Sequence, residues 1–168
     1  MYDPNSQTSR EQLAVAMIAK ITSCGFALKD IPGTNEAVYS RVVEGTDGKI
    51  SVLVYTSIAM GRRGPEVRTC GQDAIRVCAV YSTQDGGERG IAKATARVYR
   101  TGTVTDIVDR TYGRMREVYK LAQNPERCSD CGAPKFVAKS KRLVCADVCW
   151  TRRNNYAAQT SPAVGASP

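Results

Sequence analysis

The sequence predicts an α+β fold: an antiparallel sheet with helices on one face, followed by a small four-cysteine finger. Three observations carry this. Segments of helical period occupy residues 9–23 and 104–123, with β-rich alternating runs and turn signals between them. The order helix, several strands, helix puts both helices against one side of a twisted sheet. Four of the seven cysteines then fall late in the chain, as Cys128-x2-Cys131 and Cys145-x3-Cys149. A chain of 168 residues has room for one main domain and a small satellite. The expected division is an α+β domain over 1–123, a linker over 124–127 that starts from Asn124-Pro125, the finger over 128–157 and a disordered tail over 158–168.

The first helix runs from Ser9 to Ser23. Ser9 is the expected N-cap, Glu11 adds a carboxylate to the first turn, and Leu13, Met17, Ile18 and Ile21 recur at helical spacing, with Gly25 ending the element. Two strands follow, Ala37 to Glu44 and Lys49 to Ile58, joined by the turn Gly45-Thr46-Asp47-Gly48. Gly61-Arg62-Arg63-Gly64-Pro65 interrupts the pattern as a mobile loop. Pairing is expected to resume with Glu66 to Cys70, Ala74 to Tyr81 and, after a loop through Asp85-Gly86-Gly87, Ile91 to Arg100. The segment from Val67 to Val77 suggests no function beyond a turn at Gly71 and Asp73.

The second helix spans about Val104 to Gln123, capped by Thr103 or Thr101. Its apolar stripe contains Val104, Ile107, Val108, Tyr112, Met115, Val118, Tyr119 and Ala122. Gly113 weakens its middle, a cost expected to be offset by close packing on the sheet. On its polar side Arg110, Arg114 and Lys120 have Asp106 and Glu117 as neighbours three or four residues away, so that charge is discounted as a binding surface.

The cysteine hooks carry the strongest chemical signal. Two short hooks at this spacing close on one tetrahedral ion, and in a chain without histidine the site is all-thiolate, with Zn–S bonds of about 2.3 Å. The expectation is one structural Zn²⁺ on Cys128, Cys131, Cys145 and Cys149; the alternative is buried thiols or two disulfides. Four protein ligands leave no position for a reactive water. Gly132 follows the first hook, where a tight turn needs a positive φ. Phe136-Val137 and Leu143-Val144 flank a lysine-rich turn and suit a short hairpin, and Trp150 to Ala158 continues as a helix. Knuckle, hairpin and helix together, over residues 126–157, resemble the treble-clef and zinc-ribbon-like fingers, in which four such cysteines hold a single structural zinc.

Charge is uneven. Residues 1–60 carry 5 basic and 6 acidic side chains, 61–125 carry 12 and 7, and 126–168 carry 7 and 3, for a net +8. A basic second half suits a polyanion, nucleic acid above all. Along the last strand Ala92, Ala94, Ala96 and Val98 share a face fit for helices, while Lys93, Thr95, Arg97 and Tyr99 share the other. Tyr39 with Arg41, Ser51 with Tyr55 and Ser57, and Arg76 are expected on similarly wet faces. The candidate nucleic-acid contacts are Arg62, Arg63, Arg76, Lys93, Arg97, Tyr99, Lys139, Lys141, Arg142, Arg152 and Arg153, with tyrosines stacking on bases of a single strand. The helix, sheet, helix order over residues 9–123 loosely resembles single-strand annealing recombination proteins, which implies a helix-backed sheet with a basic groove.

Without histidine there is no Ser/His or Cys/His pair, and neither a phosphate-binding P-loop nor a dinucleotide turn occurs. The carboxylates Asp73, Asp85, Glu88, Asp106 and Asp109 show no spacing that compels a two-metal site. The expected function is zinc-containing nucleic-acid binding, DNA before RNA and single strands before duplex, in replication, recombination or transcription, phage- and plasmid-encoded systems included. The alternatives are an adaptor whose finger docks on a protein through Trp150 and Phe136, and a carboxylate metal-dependent nuclease. No signal peptide or membrane span is read, so a reducing, cytoplasmic setting with Cys24, Cys70 and Cys78 as free thiols is expected.

Overall fold

A computed structural model of the protein describes residues 1–68, 74–97, 102–138 and 141–149, the side chains of residues 74 and 97 excepted. The chain order is α1 (Gln7–Ser23), β1 (Ala27–Lys29), β2 (Val38–Val42), β3 (Ile50–Tyr55), β4 (Ile58–Gly61), β5 (Gly64–Val67), β6 (Ala74–Ser82), β7 (Glu88–Arg97), α2 (Val104–Gln123), β8 (Lys135–Val137) and β9 (Leu143–Cys145). An antiparallel sheet has the order β1-β2-β3-β6-β7, while β4 pairs with β5 and β8 with β9 in separate hairpins. The fold is therefore α+β, as expected. No helix among the described residues is long and apolar enough to cross a membrane.

Helix α1 begins two residues before the expected start, because Ser6 rather than Ser9 is the N-cap: its hydroxyl accepts from the Ser9 N–H at 3.3 Å. Leu13, Ala14, Met17 and Ile21 form its buried stripe. Helix α2 is closed by a capping box in which the Thr103 hydroxyl accepts from the Asp106 N–H at 3.2 Å, while the Asp106 carboxylate accepts from the Thr103 N–H at 2.7 Å. Ile107, Thr111, Met115, Val118 and Ala122 are its buried side. It lies over β3, β6 and β7, and α1 packs on α2 and on β5.

Register defines the two faces of the sheet. Val52 pairs with Ala79 and Ala79 with Ala92; Val54 pairs with Val77 and Val77 with Ala94; Ile75 pairs with Ala96. These side chains face the helices, and the alanines of β7 give α2 its close approach. The opposite face carries Ser51, Leu53 and Tyr55 of β3, Arg76, Cys78 and Val80 of β6, and Lys93 and Thr95 of β7. A bulge between Ala79 and Val80 shifts the register toward the β6–β7 turn.

Three further expectations need correction, and one strand was not expected. Strand β1 has no sequence signal, since three residues are too few for alternation to be read. The expected strand from Lys49 to Ile58 breaks at Ser57, whose φ is 57°, and the chain turns into β4. The Gly61–Pro65 loop is in fact the end of the β4–β5 hairpin, whose Ile58–Val67 pair is fully buried while Arg62 and Arg63 form a two-residue tip. Gly113 is exposed, and a Cβ built there meets nothing within 4 Å, so close packing is not its reason. Gly113→Ala is accordingly expected to stabilise the protein by about 1 kcal/mol, raising the thermal midpoint by roughly 2–4 °C in a circular dichroism melt.

Candidate metal centre and basic surfaces

The first hook is a backbone knuckle. The Cys128 N–H donates to the Ala133 carbonyl at 2.8 Å, the Gly132 N–H returns to the Cys128 carbonyl at 2.9 Å, and Gly132 takes the expected positive φ, 73°. Arg127 braces the loop by donating to the Gly132 carbonyl at 3.0 Å. The second hook starts at the end of β9 and is tied to the first by the Ala146 N–H on the Pro134 carbonyl at 2.9 Å. These bonds bring the sulfurs of Cys128, Cys131, Cys145 and Cys149 within 4.8 Å of one another. Cys128 and Cys149 are 3.8 Å apart, Cys131 and Cys145 3.4 Å.

Those separations exclude disulfides and suit a metal ion. A disulfide needs S–S of about 2.05 Å, whereas a tetrahedron with arms of about 2.3 Å has edges of about 3.8 Å. The donor set fits a metal ion, with all four positions filled by protein. At Cys128 the surroundings favour thiolate. Backbone amides at Asp130 and Cys131 donate to the Cys128 sulfur, which holds its thiol down at about 7. The Asp147 N–H reaches the Cys145 sulfur at 3.4 Å. Cys149 is pushed up to about 12, first by its hydrogen bond with Cys131 and then by burial. Four adjacent sulfurs cannot all carry charge alone; a dication held by Cys128, Cys131, Cys145 and Cys149 would remove that conflict and displace the protons.

The finger joins the main body. Cys128, Ala133, Cys145 and Ala146 belong to the same buried cluster as the sheet and both helices. Asp147, 5% exposed, accepts from the Tyr81 hydroxyl at 2.8 Å and from the Gln84 N–H at 3.3 Å. The Arg89 guanidinium lies 5.5 Å from the Phe136 ring. Asp147 thus links one sulfur of the cluster to the end of β6, a role without a sequence signal because its partner is 66 residues away.

The candidate nucleic-acid contacts are dispersed. Arg62 and Arg63 are exposed at the β4–β5 tip, and Lys141 and Arg142 are exposed at the turn of the finger hairpin. Lys93 is exposed on the sheet face opposite α2. Arg76 shares that face, but pairs with Glu36 and lies 4.9 Å from the Tyr55 ring. Arg97 ends β7, paired with Ala74. Tyr99, Lys139, Arg152 and Arg153 lie outside the described residues, as do Cys70, Val98, Trp150 and the expected helix after it. Tyr39 and Arg41 are not on the face opposite the helices, where they were expected. Tyr39 pairs with Val54 and Arg41 with Val52, which turns both toward the helices, and Tyr39 is 7% exposed.

On that helix side Arg41 meets a surface that sequence reasoning discounted. Tyr112, Arg116, Tyr119 and Lys120 of α2, together with Arg41, line a cleft of about 320 Å³ beside the end of α1. The i, i+4, i+8 spacing of Tyr112, Arg116 and Lys120 was the available signal, obscured by reading the tyrosines as core and Lys120 as neutralised, with Arg116 not singled out. The Arg114–Glu117 pair does form, at 2.8 Å, but neither residue lines the cleft.

No protein-family model matches the chain, and no curated protein or solved structure shows significant similarity to it. The likeness to single-strand annealing proteins therefore rests on element order alone.

Proposed function

We propose that this is a zinc-containing nucleic-acid-binding protein that prefers DNA and single strands, working in replication, recombination or transcription. The observation that carries the reading is uncompensated positive charge at separate protruding sites. Among the described residues no carboxylate pairs with Arg62 and Arg63 on the β4–β5 tip, with Lys93 on the sheet, or with Lys141 and Arg142 on the finger. Solvated cations at turn tips are placed to follow a phosphate backbone without reading base edges. The four-thiolate ion has a structural part in this scheme: it supplies folding free energy to a segment too small to fold by apolar burial.

Arg76 contributes least, since Glu36 already neutralises it. A second reading draws on the finger hairpin, where the cross-strand neighbours Val137 and Leu143 are 65% and 51% exposed. An exposed aliphatic pair beside an ordered metal site suits docking on a protein partner.

Salt titration of oligonucleotide binding separates the two. Phosphate contacts make log K fall linearly with log salt, at about 0.7 per phosphate neutralised on a single strand. With four contacts the expected loss between 50 and 200 mM salt is roughly 50-fold. Affinity that is flat in salt, or absent for every DNA and RNA tested, sinks the nucleic-acid reading and leaves the adaptor. Divalent-ion-dependent cleavage of the probe would instead move the assignment to a nuclease.

A further inference from the structure

We propose that the cleft between the end of α1, β2 and α2 seats one nucleotide unit of a single strand, its base against the tyrosines and its phosphate on Arg116 and Lys120. The inference rests on the nucleic-acid reading but assigns it a site away from the exposed loops and the finger. The first argument is charge. Arg41, Arg116 and Lys120 line the cleft without a carboxylate among its lining residues, and the Lys20 ammonium stands 4.2 Å from the Tyr112 ring at its edge. Among the described residues Arg41 is the one of these three with a carboxylate partner, Glu44 at 3.0 Å. The carbonyl end of α1 would oppose an anion here, but Arg41 covers it by donating to the Cys24 carbonyl at 2.9 Å.

The second argument is shape and chemistry. At about 320 Å³ the cleft is at the low end of small-ligand sites, matched to a single nucleotide rather than to a duplex groove. Buried Phe26 and Met115 line it below the half-buried Tyr112 and Tyr119. The Arg41 and Arg116 guanidinium groups lie 4.8 and 5.7 Å from the Tyr119 and Tyr112 rings. Aromatic and guanidinium planes are the surfaces on which unpaired bases stack, whatever the base. The Tyr119 ring is also anchored, its hydroxyl accepting from the Glu44 N–H at 3.3 Å. A base held in such a cleft must be unstacked from its neighbours, which selects single strands over duplex.

The test uses the full metal-loaded chain and a fluorescent oligo-dT, with Arg116→Ala/Lys120→Ala and Tyr112→Leu as variants and Arg62→Ala/Arg63→Ala as the comparison. Both cations are exposed, so the double variant is expected to keep the wild-type melting curve. It should bind at least tenfold more weakly, with a salt slope smaller by about 1.4, two contacts at about 0.7 each. An oligonucleotide carrying 5-iododeoxyuridine should photocrosslink to the peptide containing Tyr112 and Tyr119, and Tyr112→Leu should lower that yield. Wild-type protein that binds oligo-dT, with unchanged affinity in the double variant and crosslinks confined to the β4–β5 tip or the finger, overturns the cleft and leaves the general reading standing. Wild-type protein that binds no nucleic acid removes both.

Discussion

Cys145→Ser is expected to lower the bound metal from one ion per chain to none and to unfold the segment from Glu126 to Cys149. Metal binding supplies on the order of 10 kcal/mol to small zinc fingers, and nothing in two three-residue strands and a knuckle replaces it. The sheet and α1 and α2 should remain folded, since most of the buried cluster, Leu13, Met17, Val52, Val77 and Val118 included, comes from those elements. Their melting temperature should nevertheless fall, because Cys128, Ala133, Cys145 and Ala146 complete the same buried cluster. Metal analysis and far-UV circular dichroism on wild-type and variant read both effects. The ligand assignment is refuted if Cys145→Ser retains one equivalent of zinc. Affinity should also weaken on acidification, because the ion competes with protons for the sulfurs.

The second large effect concerns the joint between finger and sheet. Tyr81→Phe removes the hydroxyl that donates to buried Asp147 and leaves that carboxylate with the Gln84 N–H at 3.3 Å. A hydrogen bond to a charged group contributes roughly 1.5–3 kcal/mol, so a loss of that size is expected in denaturant unfolding. Zinc should also dissociate faster, since Asp147 donates its own N–H to the Cys145 sulfur. Unchanged stability together with unchanged zinc off-rate would show that the joint is decorative.

The same hydroxyl sets an alkaline limit. Burial first, then the Asp147 bond, pushes the Tyr81 phenol up to about 12 from its ordinary 10.0. The folded state thus favours the protonated form: its contribution is fully present below about pH 10 and is lost as pH rises through about 12. Tyr81→Phe should flatten that part of the stability profile.

The amino-acid sequence by itself determined the features whose interactions are local or periodic. Helix α2 is legible because its repeat runs through twenty residues and a Thr103–Asp106 box closes it. The cluster of four sulfurs is legible because each hook closes within three or four residues and only the gap between hooks has to fold back. The hairpin between β2 and β3 is legible from Gly45 and Gly48, whose φ angles of 75° and 74° suit glycine. Tertiary structure alone decided the rest. Alternation in β2 defines two faces, but only its register with Val52 and Val54 turns Tyr39 and Arg41 toward the helices. The left-handed turn at Ser57 that starts β4 is made by a residue with no such preference. The bond from Tyr81 to Asp147 and the meeting of Arg41 with Arg116 and Lys120 span 66 to 79 residues of chain. Contacts that distant depend on how packed elements meet, and no local pattern of side chains encodes that.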